Sequence, residues 1–160
     1  MQSNKRIEVT DNNKMKSLKY FATGMLILCG IVFAVHAAED YIINGKVIYL
    51  RGQMNNYDAT DEYALKQTDV GGCVNTRLVR TTKFKFADRD WSRGTNFGYT
   101  RIGTIKEGDN VGIELNPDSM YEDLTFYPPQ VGVYKFCLIK NNDKYYVTIN
   151  KTSEKAVNIE

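Results

Sequence analysis

The chain has 160 residues and a mass of 18.3 kDa, with 21 Lys and Arg against 19 Asp and Glu for a net charge of +2. That length allows one domain with a targeting segment beside it. The lack of any dominant Lys/Arg cluster removes support for a basic nucleic-acid-binding face.

Residues 1–37 read as a leader. Lys14, Lys16 and Lys19 precede an uncharged run over 21–35, and Val35-His36-Ala37 offers a peptidase the residues it reads, so cleavage is expected after Ala37. The polar opening 1–14 leaves Met15 as an alternative start. The rival reading, an uncleaved anchor, needs about 20 apolar residues, and this run is shorter. Leu28 before Cys29 does not suit a lipoprotein site. The expectation is an exported chain, periplasmic or extracellular, with no stable membrane span after processing.

Removing the leader takes away five of the Lys/Arg and two of the Asp/Glu, so 38–160 carries 16 against 17, a net of −1. His36 leaves too. A mature chain without histidine builds neither a Ser-His-Asp nor a Cys-His nucleophile system, nor a His-ligated metal site. No cofactor and no metal are expected, and paired carboxylates remain as the main catalytic possibility. Cys73 and Cys137 remain, and an oxidising compartment makes a bridge between them one reading and two separate buried thiols the other.

From residue 46 onward the chain reads as short strands divided by turns. "KVIYLRG" (46–52) is rich in Val, Ile and Tyr and stops at Gly, before the turn-forming "QMNNYDATD". "EYALKQ" (62–67) alternates and "TDVGG" breaks it. "CVNTRLVR" and "TKFKFAD" follow, the second with Phe84 and Phe86 on one face and Lys83 and Lys85 on the other. "NFGYTRIG", "NVGIEL", "DLTFY", "VGVYKFCLI" and "KYYVTI" complete the set, the last two joined by the hairpin signal "KNND". No window sustains a 3.6-residue period. The fold class expected is therefore all-β, an antiparallel β-sandwich over 38–150 behind the signal peptide, with 151–160 a frayed C-terminal tail. Its core is expected from Ile48, Leu50, Leu65, Leu78, Phe84, Phe86, Ile113, Leu115, Leu124, Phe126, Tyr134, Phe136, Leu138, Val147 and Ile149.

Trp91, the only tryptophan, sits in "DRDWSRG" among charged and turn-forming residues. A tryptophan either anchors a core or stands at a rim with a face free for a ligand. The flanks place this one in a surface loop. An exposed ring beside Asp, Asn, Lys and Arg suits a sugar, whose C–H face stacks on the ring while its hydroxyls meet fixed polar groups. Tyr57, in "GQMNNYD", supplies a second ring. Asp88 and Asp90 have a plainer reading as organisers of the turn.

The run "VIYLRGQMNNYD…DEYAL…FKFADRDWSRGTNFG" resembles the accessory β-sandwich domains of pullulanases and related α-glucan enzymes. It is similar, more distantly, to the glycogen-binding domain of AMP-activated protein kinase and its starch-branching relatives. The resemblance implies an early-set immunoglobulin-like sandwich without catalytic residues. It implies glucan-stacking platforms at Tyr57, where the families usually carry Trp, and at Trp91. Lys85 matches a lysine that contacts sugar hydroxyls, and Asn110 matches an asparagine across looser spacing. The plainer reading of Lys85 is a solvated strand face.

The leading functional expectation is thus an exported, non-catalytic module that binds an α-glucan or similar oligo- or polysaccharide. The alternative is a periplasmic or secreted β-sandwich that holds an envelope protein by its sheet edges or loops. A third reading pairs carboxylates among Asp58, Glu62, Asp88 and Asp90 as in glycosidases, but a small sandwich offers little cleft.

Overall fold

The computed structural model describes residues 38–101, 104–105, 107–108 and 112–157. The leader, with Cys29 and His36, and Asn110 lie outside the described residues. No helix among the described residues is long and apolar enough to cross a membrane.

The chain is all-β. Its strands are β1 (Ile42–Ile43), β2 (Lys46–Val47), β3 (Tyr49–Gly52), β4 (Lys66–Gln67), β5 (Gly72–Leu78), β6 (Thr82–Ala87), β7 (Asn96–Tyr99), β8 (Thr104–Ile105), β9 (Ile113–Asn116), β10 (Leu124–Phe126), β11 (Gly132–Asn141) and β12 (Lys144–Thr152). β1 and β2 form a separate ribbon around Asn44-Gly45. Both turn residues have positive φ, 52° and 76°, which the tightest hairpin turns demand and Asn-Gly supplies at little steric cost. The adjacent Asn and Gly are themselves the local sequence signal for this turn.

The other ten strands form one sheet in the order β4-β5-β11-β12-β9-β7-β6-β10-β8, with β3 also on β6. All pairings are antiparallel except β8 with β10. The sheet is curled. Phe84 on β6 and Phe136 on β11 are four strand steps apart in this order, about 19 Å if the sheet lay flat. Their ring centroids are 5.0 Å apart, and Phe126 on β10 meets Tyr134 and Phe136 at 5.2 and 5.9 Å. The apolar faces therefore fold onto one another. The alternation in "TKFKFA" accounts for the part β6 plays, since Phe84 and Phe86 are fully buried. All fifteen residues expected in the core lie in it or packed against it.

Two expectations are corrected. "EYALKQ" is not a continuous strand: Asp61–Tyr63 form a 3-10 turn, Ala64 makes an isolated bridge to Tyr49, and only Lys66–Gln67 form a strand. Tyr63, Ala64 and Leu65 are buried in succession, which a two-faced strand does not allow. Residues 151–157 are not a frayed tail either. β12 runs through Thr152, Ala156 is buried, and the Val157 amide donates to the Asn75 carbonyl at 3.0 Å. An apolar Ala-Val pair at the end of a polar run gives this segment something to bury. Cys73 and Cys137 face each other across β5 and β11 and are bonded, with Cα atoms 4.2 Å apart.

Candidate functional site

Arg51 on β3 and Lys85 on β6 are register partners. Their neighbours Leu50, Phe84 and Phe86 point into the core, so both cations project from the outer face of the sheet. Asp123 precedes Leu124, the partner of Phe84, and extends the same row. On an uncovered sheet these side chains would be solvated. Here three loops close over them.

The first loop follows β3. Asn55 folds it by accepting from the Gly52 amide at 2.8 Å and donating to the Leu50 carbonyl at 2.9 Å. The chain then passes through Asn56 and Tyr57 with φ of 53° and 62°. The second loop joins β6 to β7 and is organised by the buried Asp88. Its carboxylate accepts from the Ser92 amide at 2.7 Å, the Ser92 hydroxyl at 2.8 Å, Thr95 Oγ1 at 3.2 Å and Lys46 Nζ at 3.2 Å. Lys46 also bonds Ser92 Oγ. Held this way, Trp91 takes a φ of 57° and remains 37% exposed. The third loop, between β9 and β10, lays Ser119 over Lys85.

Arg51 ties the first two loops together. Its Nε donates to the Tyr57 carbonyl at 2.6 Å, and its Nη1 donates to the carbonyls of Asp88 and Arg89 at 2.7 and 2.9 Å. Its guanidinium carbon lies 3.6 Å from the centroid of the Trp91 ring, a cation–π stack worth about 1–2 kcal/mol where water is largely excluded. The indole thus has one face backed by a cation. A ligand must take what remains of the ring, and a positively charged ligand is disfavoured. Tyr57 stands beside it with centroids 6.5 Å apart and planes inclined by 44°, so the two rings make an angled surface rather than one flat plate. The Tyr57 hydroxyl donates to Asp123 Oδ2 at 2.7 Å. Burial first, and this bond second, push its ionisation up.

The sequence-predicted residues are thus partly brought together. Tyr57 and Trp91 share one rim. Lys85 lies beneath it, with Nζ 5.9 Å from the Trp91 centroid, and it is not a solvated strand face. It is 2% exposed and donates to Ser119 Oγ at 2.9 Å and to the Ser119 carbonyl at 3.4 Å. Burial lowers its ionisation, and Asp123 and Glu122 partly offset this. Asn110 lies outside the described residues. Arg51 and Asp123 were missed. A lone Arg inside the apolar run "VIYLRG" was the available signal for the first, and Asp123 carried none.

Chemically the rim offers a ring surface with fixed polar groups beside it. Asp88 is occupied in building its loop. Burial alone would raise its carboxyl, but the bonds from Ser92, Lys46 and the Asp90 amide outweigh this and hold it below the ordinary carboxylate range. A carboxyl lowered in the fold adds stability above its unfolded value, near pH 4, and that stability is lost as pH falls through the folded value. Unfolding free energy should hence be level above about pH 5 and fall below about pH 4 in urea titrations. Asp88→Ala should lower it by about 2–4 kcal/mol at neutral pH and flatten the acid limb, because the buried Thr95 hydroxyl and the half-buried Ser92 donors lose their acceptor. A cavity of about 300 Å³ lined by Gln53, Met54, Leu78 and Arg80, among others, contains neither ring.

Comparison with known protein families, with characterised proteins and with solved structures finds no match to this chain.

Proposed function

We propose that this chain is an exported, non-catalytic carbohydrate-binding module that recognises an α-glucan or a similar polysaccharide by stacking on Trp91 and Tyr57. In this reading the curled sheet is an immunoglobulin-like sandwich of the early-set type, delivered by the leader at 1–37, and akin to the accessory domains of pullulanases. The observation that carries the proposal is the pairing of two aromatic residues in left-handed backbone, 6.5 Å apart, with the indole exposed.

A bulky side chain at positive φ costs about 1–2 kcal/mol relative to ordinary backbone. A loop that served only to connect β6 to β7 would be more stable with Gly or Asn at Trp91. Keeping an indole there, partly in water and braced from behind by Arg51, has a rationale if the ring meets a ligand. The backing cation favours neutral or acidic partners over cationic ones, which fits a glucan. Tyr57 in place of a second tryptophan offers a smaller face and so a weaker grip. Retarded migration in a native gel containing glycogen tests the proposal, and migration unaltered by glycogen or by other polysaccharides removes it.

One observation favours the alternative, a protein-holding sandwich. Among the described residues, no strand pairs with β5 beyond Cys73 on its β4 side, where the C-terminal segment meets it through the Val157 amide on the Asn75 carbonyl. Unpaired edges accept added strands. A stoichiometric protein partner that stays bound in excess oligosaccharide would select this reading instead.

A further inference from the structure

The loop between β9 and β10 presents Tyr121 with 85% of its surface exposed, next to Met120 at 68%. A single exposed aromatic is ordinary and needs no explanation. Three observations set this one apart.

The loop is locked by its own side chains. Glu122 Oε2 accepts from Ser119 Oγ at 2.6 Å, from the Met120 amide at 2.8 Å and from the Tyr121 amide at 3.0 Å. The Ser119 bond first, then the amides, hold the Glu122 carboxyl down to about 2. The loop also sits tightly on β7. A Cβ on Gly98 would lie 2.1 Å from Ser119 Oγ and 2.2 Å from the Glu122 carbonyl, so only glycine allows this approach. Finally, both ends of the loop are joined to the aromatic pair. Ser119 accepts from Lys85, which lies under Trp91, and Asp123 accepts from Tyr57. The Trp91 loop is tied to the same segment, with the Gly94 amide 2.8 Å and Arg93 Nε 3.4 Å from Asp118 Oδ1.

Tyr121 is therefore carried on a fixed support whose two ends bond the lysine under Trp91 and the hydroxyl of Tyr57. Among the described residues no ring contact joins it to either of them, so it stands apart from the 6.5 Å pair. A rigidly presented ring loses little freedom on binding, which is how preorganised contacts gain affinity.

We propose that Tyr121 is a third aromatic contact of this rim, taken up by the part of a saccharide chain that extends beyond the units stacked on Trp91 and Tyr57. The inference rests on the carbohydrate-binding reading and deepens it, assigning the rim to chains rather than to short oligosaccharides.

Calorimetric titration with maltotriose and maltoheptaose tests it, using the wild-type protein, Tyr121→Ala, Tyr121→Phe and Trp91→Ala. Tyr121→Ala should weaken maltoheptaose binding ~5- to 10-fold, the value of one aromatic contact. It should leave maltotriose within about 2-fold, as expected of a ring that the short ligand does not reach. Tyr121→Phe should behave as wild type, because stacking needs the ring and not the hydroxyl. An exposed position leaves both variants with the wild-type unfolding midpoint. If Trp91→Ala weakens both ligands while Tyr121→Ala weakens neither, the inference is overturned and the carbohydrate reading stands. If the wild-type protein binds neither maltooligosaccharide nor glycogen, the carbohydrate reading itself falls.

Discussion

Trp91→Ala is expected to reduce affinity for maltoheptaose or glycogen by about 30- to 100-fold, the 2–3 kcal/mol that a central aromatic anchor contributes to an interface. The proposed site concentrates its stacking surface on one indole, and Tyr57 cannot replace it because the two planes diverge by 44°. The same position carries a stability signature that separates functional from structural roles. At ordinary loop positions Ala is more stable than Gly by roughly 0.4–1 kcal/mol, because Gly has more freedom to lose on folding. At a φ of 57° the order should invert, with Trp91→Gly about 1 kcal/mol more stable than Trp91→Ala in urea unfolding. An inverted order with binding lost in both variants identifies a residue kept for its ring at the expense of its backbone. Retained binding in both would assign the indole to bracing Arg51 alone.

The second large effect concerns the bridge between Cys73 and Cys137. It closes a separation of 64 residues, and in the chain-entropy model its loss destabilises the fold by about 4 kcal/mol. The local architecture adds to that figure. β5 is held on one side by β11 and on the other by the two residues of β4 and by the C-terminal segment at Asn75. Releasing the bridge should loosen β5 and that segment together. Denaturant unfolding of the oxidised protein, the reduced protein and Cys73→Ser/Cys137→Ser measures it. The reduced protein should lose most of the 4 kcal/mol. A loss below about 1 kcal/mol would mean that strand pairing alone fixes β5, a value expected of an ordinary surface contact.

Much of this fold was legible from residue order because it rests on period-two alternation. Phe84 and Phe86 alternate with lysines, and both phenylalanines are in the core. Lys85 shows where alternation stops being informative. The pattern says that Lys85 faces away from the core, and it faces away. Whether that side meets water depends on Ser119, more than thirty residues later, whose loop covers it through tertiary packing that no local pattern encodes. Arg51 escaped notice for the same reason, since its partners are carbonyls of two distant loops. The turn role of Asp88 was readable, because Asp followed by Ser and Gly is short-range chemistry. Its left-handed consequence at Trp91 was not, since nothing in the residue name announces a positive φ. The polar composition of the C-terminal segment predicts a tail, and Ala156 and Val157 dock all the same.

Intrinsic fluorescence addresses the central claim most directly, because Trp91 is the only tryptophan in the chain and every change in indole emission belongs to that ring. Titrating maltoheptaose or glycogen into the folded protein should give a saturable change in emission and protect the indole from an aqueous quencher. Emission and quenching that stay the same up to saturating polysaccharide would contradict the account.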